Sequence, residues 1–415
     1  MTLAGNAVGS LQNFPGDGGQ GGGAERTGGS PQRWLGAGTF VALAIVSTGG
    51  PLALAALYAP SVVDDVAGSA GLVGVLGAVV FALPLMIWLR YARDIQSSGG
   101  LFAFVEAAAG RRVALVQASV WTVSYLLYLL YTTEYIVYDV IPTTLPGARP
   151  YRPLLEIAIP VVLAGIVLGG RALVAPALCV LAFGQVALVA MLATVAISHA
   201  HPLSSFTTTT DVGSIATASG NTALFFVCGS LPLFFGGEVR RPRQTMRRGI
   251  VLAYALAALA IVASIFPLAA NPAFTHAEIP GMSLVGVYVG HSAAVSIGLG
   301  IAASVVGVML VEYLAVTRLL HAVRGVSLRT AAKVVAVPLI IAGPLSLINP
   351  DRFYDDLLKP SLVALWLSQL IVVAVFPRFI RHREGLRIPV VVVTIGAVGI
   401  VLFGLYSTIH NQVAT

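Results

Sequence analysis

Two apolar segments of the sequence are interrupted by glycine and proline near their centres. The first contains Ser47 to Pro51 (STGGP), and the second contains Cys228 to Pro232 (CGSLP). Such a break frees backbone N–H groups, which can bind a carboxylate, and carbonyl groups, which can bind an ammonium ion. Broken helices persist in a bilayer only where they line a cavity inside the protein. The alternative interpretation is close helix packing, for which membrane helices commonly use glycine.

Two carboxyl groups, those of Glu134 and Glu312, also lie deep inside apolar segments, where an unpaired charge is costly. Each is a candidate for proton coupling or for contact with a cationic substrate. The alternative is a structural carboxylate that pairs with a buried Arg, His or Tyr. Glu134 lies within one turn of a row of phenols on one helix face, which are Tyr125, Tyr128, Tyr131, Tyr135 and Tyr138. A pathway lining and interhelical hydrogen bonding both fit this row.

The composition indicates that membrane helices position these groups. The chain has 415 residues, of which 57% are hydrophobic and 10% are charged. Soluble proteins carry roughly 25% charged residues, so a soluble enzyme is excluded. About 20 apolar residues cross a bilayer. By this measure the sequence predicts eleven spans, at 35–58, 69–89, 113–141, 154–170, 172–198, 219–237, 249–270, 284–317, 334–348, 360–377 and 388–408. Residues 1–33 are rich in glycine and are expected to form a disordered cytoplasmic tail before a transporter domain at 34–415.

The distribution of positive charge predicts the topology. Of the 24 Lys and Arg residues, all but four fall in alternate loops that share one side of the membrane. The exceptions are Arg149, Arg152, Arg352 and Lys359. Cytoplasmic loops are enriched in Lys and Arg, so we expect a cytoplasmic amino terminus and an outer carboxyl terminus in a bacterial cytoplasmic membrane. The net charge of +7 therefore reflects topology, and no nucleic-acid partner is expected.

The loop after the sixth span carries a motif that resembles the amino acid–polyamine–organocation (APC) superfamily of permeases. The matching residues are Glu238, Val239, Pro242, Arg248, Gly249 and Ile250. The run from Ser98 to Phe104, continued to Gly110, is similar to a second family motif, and Thr317-Arg318 is similar to a third. The break at Ser47 to Gly50 matches the family pattern loosely. The resemblance covers about residues 34–378.

The resemblance implies an all-α leucine-transporter-type fold with two inverted five-helix repeats. We expect the repeats at about 34–198 and 219–378, discontinuous first and sixth helices, and a peripheral helix at 388–408. It also implies that the substrate contacts are Ser47, Thr48, Gly49, Gly50, Val227, Cys228, Gly229 and Ser230. Some family members have a lysine in the fifth helix that replaces a sodium ion. Gln185 aligns with that lysine, so any coupling would need a carboxylate or a sodium ion instead.

The sequence thus favours a secondary active transporter, a symporter or an antiporter, that moves an amino acid or related amine by alternating access. Glu134, Glu312, Tyr131 and Gln185 are its candidate coupling or pathway residues. No enzyme motif is present, and the expected partners are a small-molecule substrate and the lipid bilayer. No cofactor is expected apart from a coupling proton or sodium ion, and the oligomeric state is left open. The alternatives are a non-transporting sensor or channel, or a permease for another substrate class.

Overall fold

The computed structural model describes residues 33–199, 206–207, 210–269, 274, 276–385 and 387–410. Eleven helical spans in this part of the chain are long and apolar enough to cross a membrane, which confirms the predicted number. In chain order, spans 1 to 11 are Ala37–Tyr58, Val66–Asp94, Arg111–Thr144, Pro146–Leu168, Arg171–His199, Val212–Phe235, Pro242–Ser264, His291–Arg324, Leu328–Leu347, Pro350–Glu384 and Ile388–His410. Residues 1–32 of the predicted tail lie outside the described residues.

The two spans with predicted breaks lie at the centre of the bundle. In span 1, 89% of the residues in its most apolar 18-residue stretch are buried, and in span 6 the share is 78%. Span 1 packs against spans 5, 6, 7 and 8, and span 3 packs along span 10. In span 11 only 22% of the corresponding stretch is buried, and this span packs on spans 2, 6 and 10, as expected for a peripheral helix. The most buried elements are therefore those with the least regular backbones.

The predicted segment 284–317 is divided into two helices in the structure. A short helix, Pro280–Tyr288, ends before Gly290, and span 8 begins at His291. Gly290 has a φ of +118°, a conformation that L side chains rarely adopt. Span 8 then continues to Arg324 and ends at Gly325, whose φ is +69°. The apolar pattern runs through both helices, so hydropathy alone could not reveal the turn.

The glycine pair after span 2 lets a short helix, Leu101–Ala109, begin directly beneath span 6. Gly100 has a φ of +51°, and a Cβ placed there would lie 2.5 Å from the Phe234 ring. A Cβ at Gly237 would likewise lie 2.6 Å from the Ser98 hydroxyl. Only glycine permits these approaches. Two of the motifs quoted above therefore form one packed junction at the basic end of the bundle, where the arginine-rich loops meet.

Candidate functional site

The break in span 1 is a complete interruption of the helix. Its first half, Ala37–Ser47, ends where the Ser47 and Thr48 hydroxyls donate hydrogen bonds to the Ala44 carbonyl, at 2.9 and 2.8 Å. Gly49 and Gly50 follow with φ values of +68° and +64°. The helix resumes at Pro51, which fits the first turn because its missing N–H is not needed there. The hydroxyl hydrogens are thus committed, and the hydroxyl oxygens keep lone pairs that can accept from an ammonium ion.

The break in span 6 differs in kind. The α-helix Val212–Leu224 is followed by a 3-10 helix from Val227 to Phe235, which contains Cys228, Gly229, Ser230 and Pro232. A 3-10 helix is narrower than an α-helix and has poorer hydrogen-bond geometry, so a run of this length marks a strained segment. The Ser230 hydroxyl donates to the Val227 carbonyl at 3.1 Å. The sequence predicted an interrupted helix here, and the structure shows a change of helix type.

The structure brings the two breaks into contact. A Cβ placed on Gly229 would lie 3.9 Å from the Thr48 methyl group and 3.8 Å from the Trp88 ring. Thr48 and Gly229 are 181 positions apart in the sequence, yet they face each other with room for little more than a methyl group. The predicted contact residues of both spans thus form one cluster in the centre of the bundle, where all of them are buried except Gly49, which is half-buried.

A polar bridge joins the span 1 break to spans 5 and 8. The Ser304 hydroxyl donates to the Gln185 Oε1 atom at 2.9 Å and accepts from the Ala53 N–H at 3.4 Å. A Cβ on Gly50 would lie only 2.3 Å from the Ser304 oxygen, so this hydroxyl fills the space of the missing side chain. The bridge ends in the Gln185 amide, which carries hydrogens on Nε2 and no charge.

Glu312 on span 8 is completely buried beside the span 6 break. Neither of its carboxylate oxygens has a hydrogen-bond partner among the described residues. It interacts electrostatically with Cys228, Tyr125 and Tyr128, which places an acid at the broken segment. Two residues after Cys228, the Ser230 hydroxyl accepts a hydrogen bond from the Gln369 amide of span 10 at 3.2 Å. A buried acid without a partner in a cluster of hydroxyls is suited to bind an ammonium ion.

The tyrosines of span 3 form a chain of ring contacts that leads away from the breaks. Ring centroids are 6.1 Å apart for Tyr125 and Tyr128, 4.7 Å for Tyr128 and Tyr131, and 5.5 Å for Tyr131 and Tyr354. Glu134 does not join the breaks. It lines a separate cavity of about 580 Å³ at the end of the bundle opposite the basic loops. The two candidate carboxyl groups therefore occupy different sites.

A buried ion pair lies at the basic end of the bundle. The Arg318 guanidinium donates to both oxygens of Glu238, at 2.7 and 2.9 Å, and its centre lies 4.2 Å from the middle of the Phe235 ring. The Trp34 indole N–H donates to Glu238 at 2.6 Å, and the Leu35 N–H donates to the Glu238 carbonyl at 3.1 Å. Both charged side chains are about 5% exposed. This network ties the start of span 1 to the ends of spans 6 and 8.

Several of these partners were missed by reasoning on the sequence. Trp88 and Gln369 contact the cluster, but each lies in an apolar segment without a recognisable motif. Glu238 and Arg318 were noted as parts of separate motifs, and their pairing was not predicted. The available signal was that Glu238 and Arg318 carry opposite charges and both lie on the predicted cytoplasmic side of the membrane.

Comparisons with known proteins identify the fold. No protein-family model and no curated sequence match the chain. Among solved structures, that of MhsT in complex with L-phenylalanine has a TM-score of 0.62 at 14% identity and covers 91% of this chain and 99% of its own. A Na⁺-coupled sialic acid symporter in a substrate-bound outward-open state has a TM-score of 0.60 at 13% identity, covering 92% and 91%. Mhp1, a nucleobase-cation-symport-1 family transporter with bound bromovinylhydantoin, has a TM-score of 0.53 at 13% identity and covers 92% of this chain and 92% of its own.

The chain is therefore an integral membrane protein with the leucine-transporter-type fold. The three structures named here are of transporters, and in this chain the breaks of spans 1 and 6 lie at the centre of the bundle. The predicted fold is confirmed. At this level of identity the likeness concerns the fold alone, so membership of the APC superfamily stays a prediction that rests on the motifs.

Proposed function

We propose that the protein is a secondary active transporter that moves an amino acid or related amine across a cytoplasmic membrane by alternating access. The observation that carries this proposal is the contact between the broken segments at Thr48 and Gly229. Irregular backbone at the centre of a membrane bundle is tolerated where it lines a site, and half-helix ends supply partial charges for a substrate's polar groups. The predicted eight contact residues are the proposed substrate site.

The proposed substrate carries an amine because acceptors dominate the cluster. Glu312 is buried beside Cys228 with no hydrogen-bond partner in the described part of the chain, and the hydroxyls of Ser47 and Thr48 already donate to the Ala44 carbonyl. An ammonium ion would give Glu312 the counter-charge that its environment lacks. A carboxylate, if the substrate has one, would meet the positive end of the second half-helix, where Leu52 is the first residue with a backbone N–H because Pro51 has none.

The polar bridge bears on the coupling of transport to an ion. Gln185 and Ser304 hydrogen-bond to each other between spans 1, 5 and 8, and the Gln185 amide places N–H groups in that space. The Ser304 hydroxyl and the Gln185 Oε1 atom already bond to each other, and Ser304 also accepts from the Ala53 N–H, so we propose that this position supports the span 1 break without a sodium ion. Glu312 and Glu134 are then the candidates for proton coupling, and exchange without an ion is the remaining route.

The test begins with a thermal-shift screen of the purified protein against amino acids, polyamines and simple organic cations. A ligand that binds only the folded protein raises its melting temperature by mass action. The stabilising compound is then labelled and offered to liposomes that contain the protein. Uptake should depend on the breaks: Gly229→Leu, which drives a side chain against Thr48 and Trp88, should lower uptake at least about tenfold.

The matched control is Gly399→Leu in span 11, where a Cβ meets nothing within 4 Å. This variant should retain wild-type uptake. If Gly229→Leu is folded and transports as well as Gly399→Leu, the breaks are not the substrate site. If the folded wild-type protein binds a compound but never accumulates it, the protein senses ligands and does not transport them.

A further inference from the structure

A buried acid on span 4 belongs neither to the breaks nor to the cavity that Glu134 lines. Glu156 is completely buried, and neither of its carboxyl oxygens has a hydrogen-bond partner in the part of the chain that the structure describes. A buried carboxyl group without a partner is costly inside a membrane bundle, so its presence indicates a binding role. The sequence did not single it out, because an acid two residues inside a predicted span lies close to the membrane surface.

The backbone of span 4 adds another oxygen at the same residue. In an α-helix the Glu156 carbonyl would accept a hydrogen bond from the N–H four residues later, but that residue is Pro160, which has no N–H. This carbonyl faces span 9. A Cβ placed on Gly343 would lie 3.5 Å from the Glu156 carbonyl oxygen and 3.7 Å from its Oε2 atom. The carbonyl and the carboxyl group of one residue therefore meet span 9 at the same glycine.

Span 9 contributes a hydroxyl to this contact. Its α-helix, Leu328–Ala342, is followed by a 3-10 helix, Gly343–Leu347, in which residues three apart lie on the same side. Ser346 therefore shares the side of Gly343, and it is completely buried. It interacts with Glu156, yet its hydroxyl has no hydrogen-bond partner among the residues described. Two carboxyl oxygens, a carbonyl and a hydroxyl are thus gathered where spans 4 and 9 meet.

The basic residue one turn earlier on span 4 does not neutralise the acid. The Arg152 guanidinium donates instead to the Tyr138 carbonyl at 3.1 Å, and its centre lies 4.6 Å from the middle of the Tyr138 ring. On span 3, Glu134 interacts electrostatically with Glu156 and adds negative charge. The acid is therefore surrounded by acceptors and a second acid, and a cation would stabilise it.

Oxygens of these kinds suit a small alkali-metal ion. Carboxylate, carbonyl and hydroxyl oxygens are hard ligands, the class that alkali and alkaline-earth ions prefer. One carboxylate at the contact balances a monovalent ion, whereas a divalent ion would keep uncompensated charge inside the bilayer. An organic ammonium ion is too large, because the backbone of span 9 at Gly343 already touches the acid.

We propose that spans 4 and 9 bind a sodium or potassium ion where they meet, through the carboxylate and carbonyl of Glu156 and the hydroxyl of Ser346. We call this the span 4–9 site. The ion joins two spans that are distant in the sequence and fixes their packing. The site uses no residue of the breaks or of the polar bridge, and it does not rest on the proposed function.

Ion binding is measured through the melting temperature of the purified full chain in sodium, potassium or N-methylglucamine chloride at equal ionic strength. The organic cation is the reference that the site excludes. Sodium or potassium should raise the melting temperature in a saturable way, by about 1–3 °C at ten times the half-saturating concentration, because the ion binds the folded chain. The lower of the two half-saturating concentrations identifies the preferred ion.

The variants locate the ion. Glu156→Gln should abolish the rise, and Ser346→Ala should increase the half-saturating concentration at least about threefold, because each removes a ligand. The rise is a difference between salts within one variant, so a change in basal stability does not alter the comparison. The matched control is Asp356→Asn, which removes an acid that pairs with Arg352 at 3.4 Å on the surface. This control should keep the rise of the wild type.

Two results would overturn the proposal. One is an equal melting temperature of the folded wild-type protein in all three salts, and the other is an unchanged rise in Glu156→Gln. A rise that is lost in Ser304→Ala and kept in Glu156→Gln would place the ion at the polar bridge, which contradicts both the span 4–9 site and the sodium-free role of Gln185. A rise lost only in the span 4–9 variants, in a protein that takes up no amine, would support the site and contradict the transport function.

Discussion

Removal of the Glu238 charge tests whether the ion pair at the basic end holds that end closed. In the variant Glu238→Gln, Arg318 keeps its hydrogen bond to the Leu314 carbonyl, at 3.0 Å, and its contact with the Phe235 ring. It loses the carboxylate that both of its donor groups reach. Breaking a buried ion pair on one side costs about 3–5 kcal/mol. The retained contacts favour the lower value, so we expect about 3 kcal/mol.

If the pair exists only when the basic end is closed, that free energy shifts the equilibrium between closed and open states. At about 1.4 kcal/mol for each factor of ten, 3 kcal/mol raises the open population roughly a hundredfold. Cys228 is a natural reporter because it lies at the span 6 break and is only 5% exposed. The other cysteine, Cys179, is exposed and is replaced by serine so that only Cys228 reacts.

The assay follows the rate at which a maleimide labels Cys228 in the purified protein. Glu238→Gln should accelerate labelling by up to about a hundredfold relative to the Cys179→Ser parent. The control variant Asp356→Asn breaks an exposed pair with Arg352, and since such pairs contribute little, its rate should not change. A lower melting temperature with labelling within twofold of the parent would refute the reasoning, because the pair would then stabilise every state equally.

Three further predictions concern the centre of the bundle. Gly50→Ala should abolish uptake and lower the melting temperature, because its Cβ would lie 2.3 Å from the Ser304 hydroxyl and the residue has a φ of +64°. Gly399→Ala is the control, because a Cβ there meets nothing within 4 Å. Normal uptake by Gly50→Ala would contradict the geometry. Glu312→Gln should weaken amine binding at least about tenfold, because an amide cannot become the counter-charge of an ammonium ion, while the melting temperature without amine should stay near that of the wild type. A fall in both would indicate a structural role for Glu312. Replacement of sodium by N-methylglucamine should leave uptake unchanged if the Gln185 amide serves in place of an ion, and sodium-dependent uptake would exclude that role.

Much of the fold was predictable because a bilayer limits the possible structures. A run of about 20 apolar residues can only be a helix there, so the eleven spans followed from hydropathy. The break in span 1 was also predictable, since Gly49, Gly50 and Pro51 disfavour a continuous helix in three consecutive positions. The break in span 6 was placed correctly, but its 3-10 geometry depends on packing against Trp88 and Gln369, which no local pattern encodes.

The side-chain partners at the site were harder to predict because they depend on contacts between distant spans. Glu134 and Glu312 have the same sequence signature, an acid in an apolar segment, yet one lines a cavity with span 10 and the other faces the span 6 break. Tyr354 lies at the polar start of span 10, and only the fold shows that it contacts Tyr131. Periodicity assigns a residue to a face of its own helix and leaves the opposing helix unknown.

The distribution of carboxyl groups implies that the two ends of the helix bundle have different roles in the proposed transport by alternating access. A cation at the cavity that Glu134 lines keeps part of its water, because the other four carboxyl groups there, those of Asp139, Glu278, Asp351 and Asp355, are exposed, and it is held weakly. A cation beside Glu312 meets a buried carboxyl group that has no hydrogen-bond partner among the described residues, and it is held more strongly. Glu238 offers no such site, since Arg318 and Trp34 already occupy both of its oxygens. Departure through the basic end therefore requires that this pair separate first, so the ion pair and not a deeper binding site would control release.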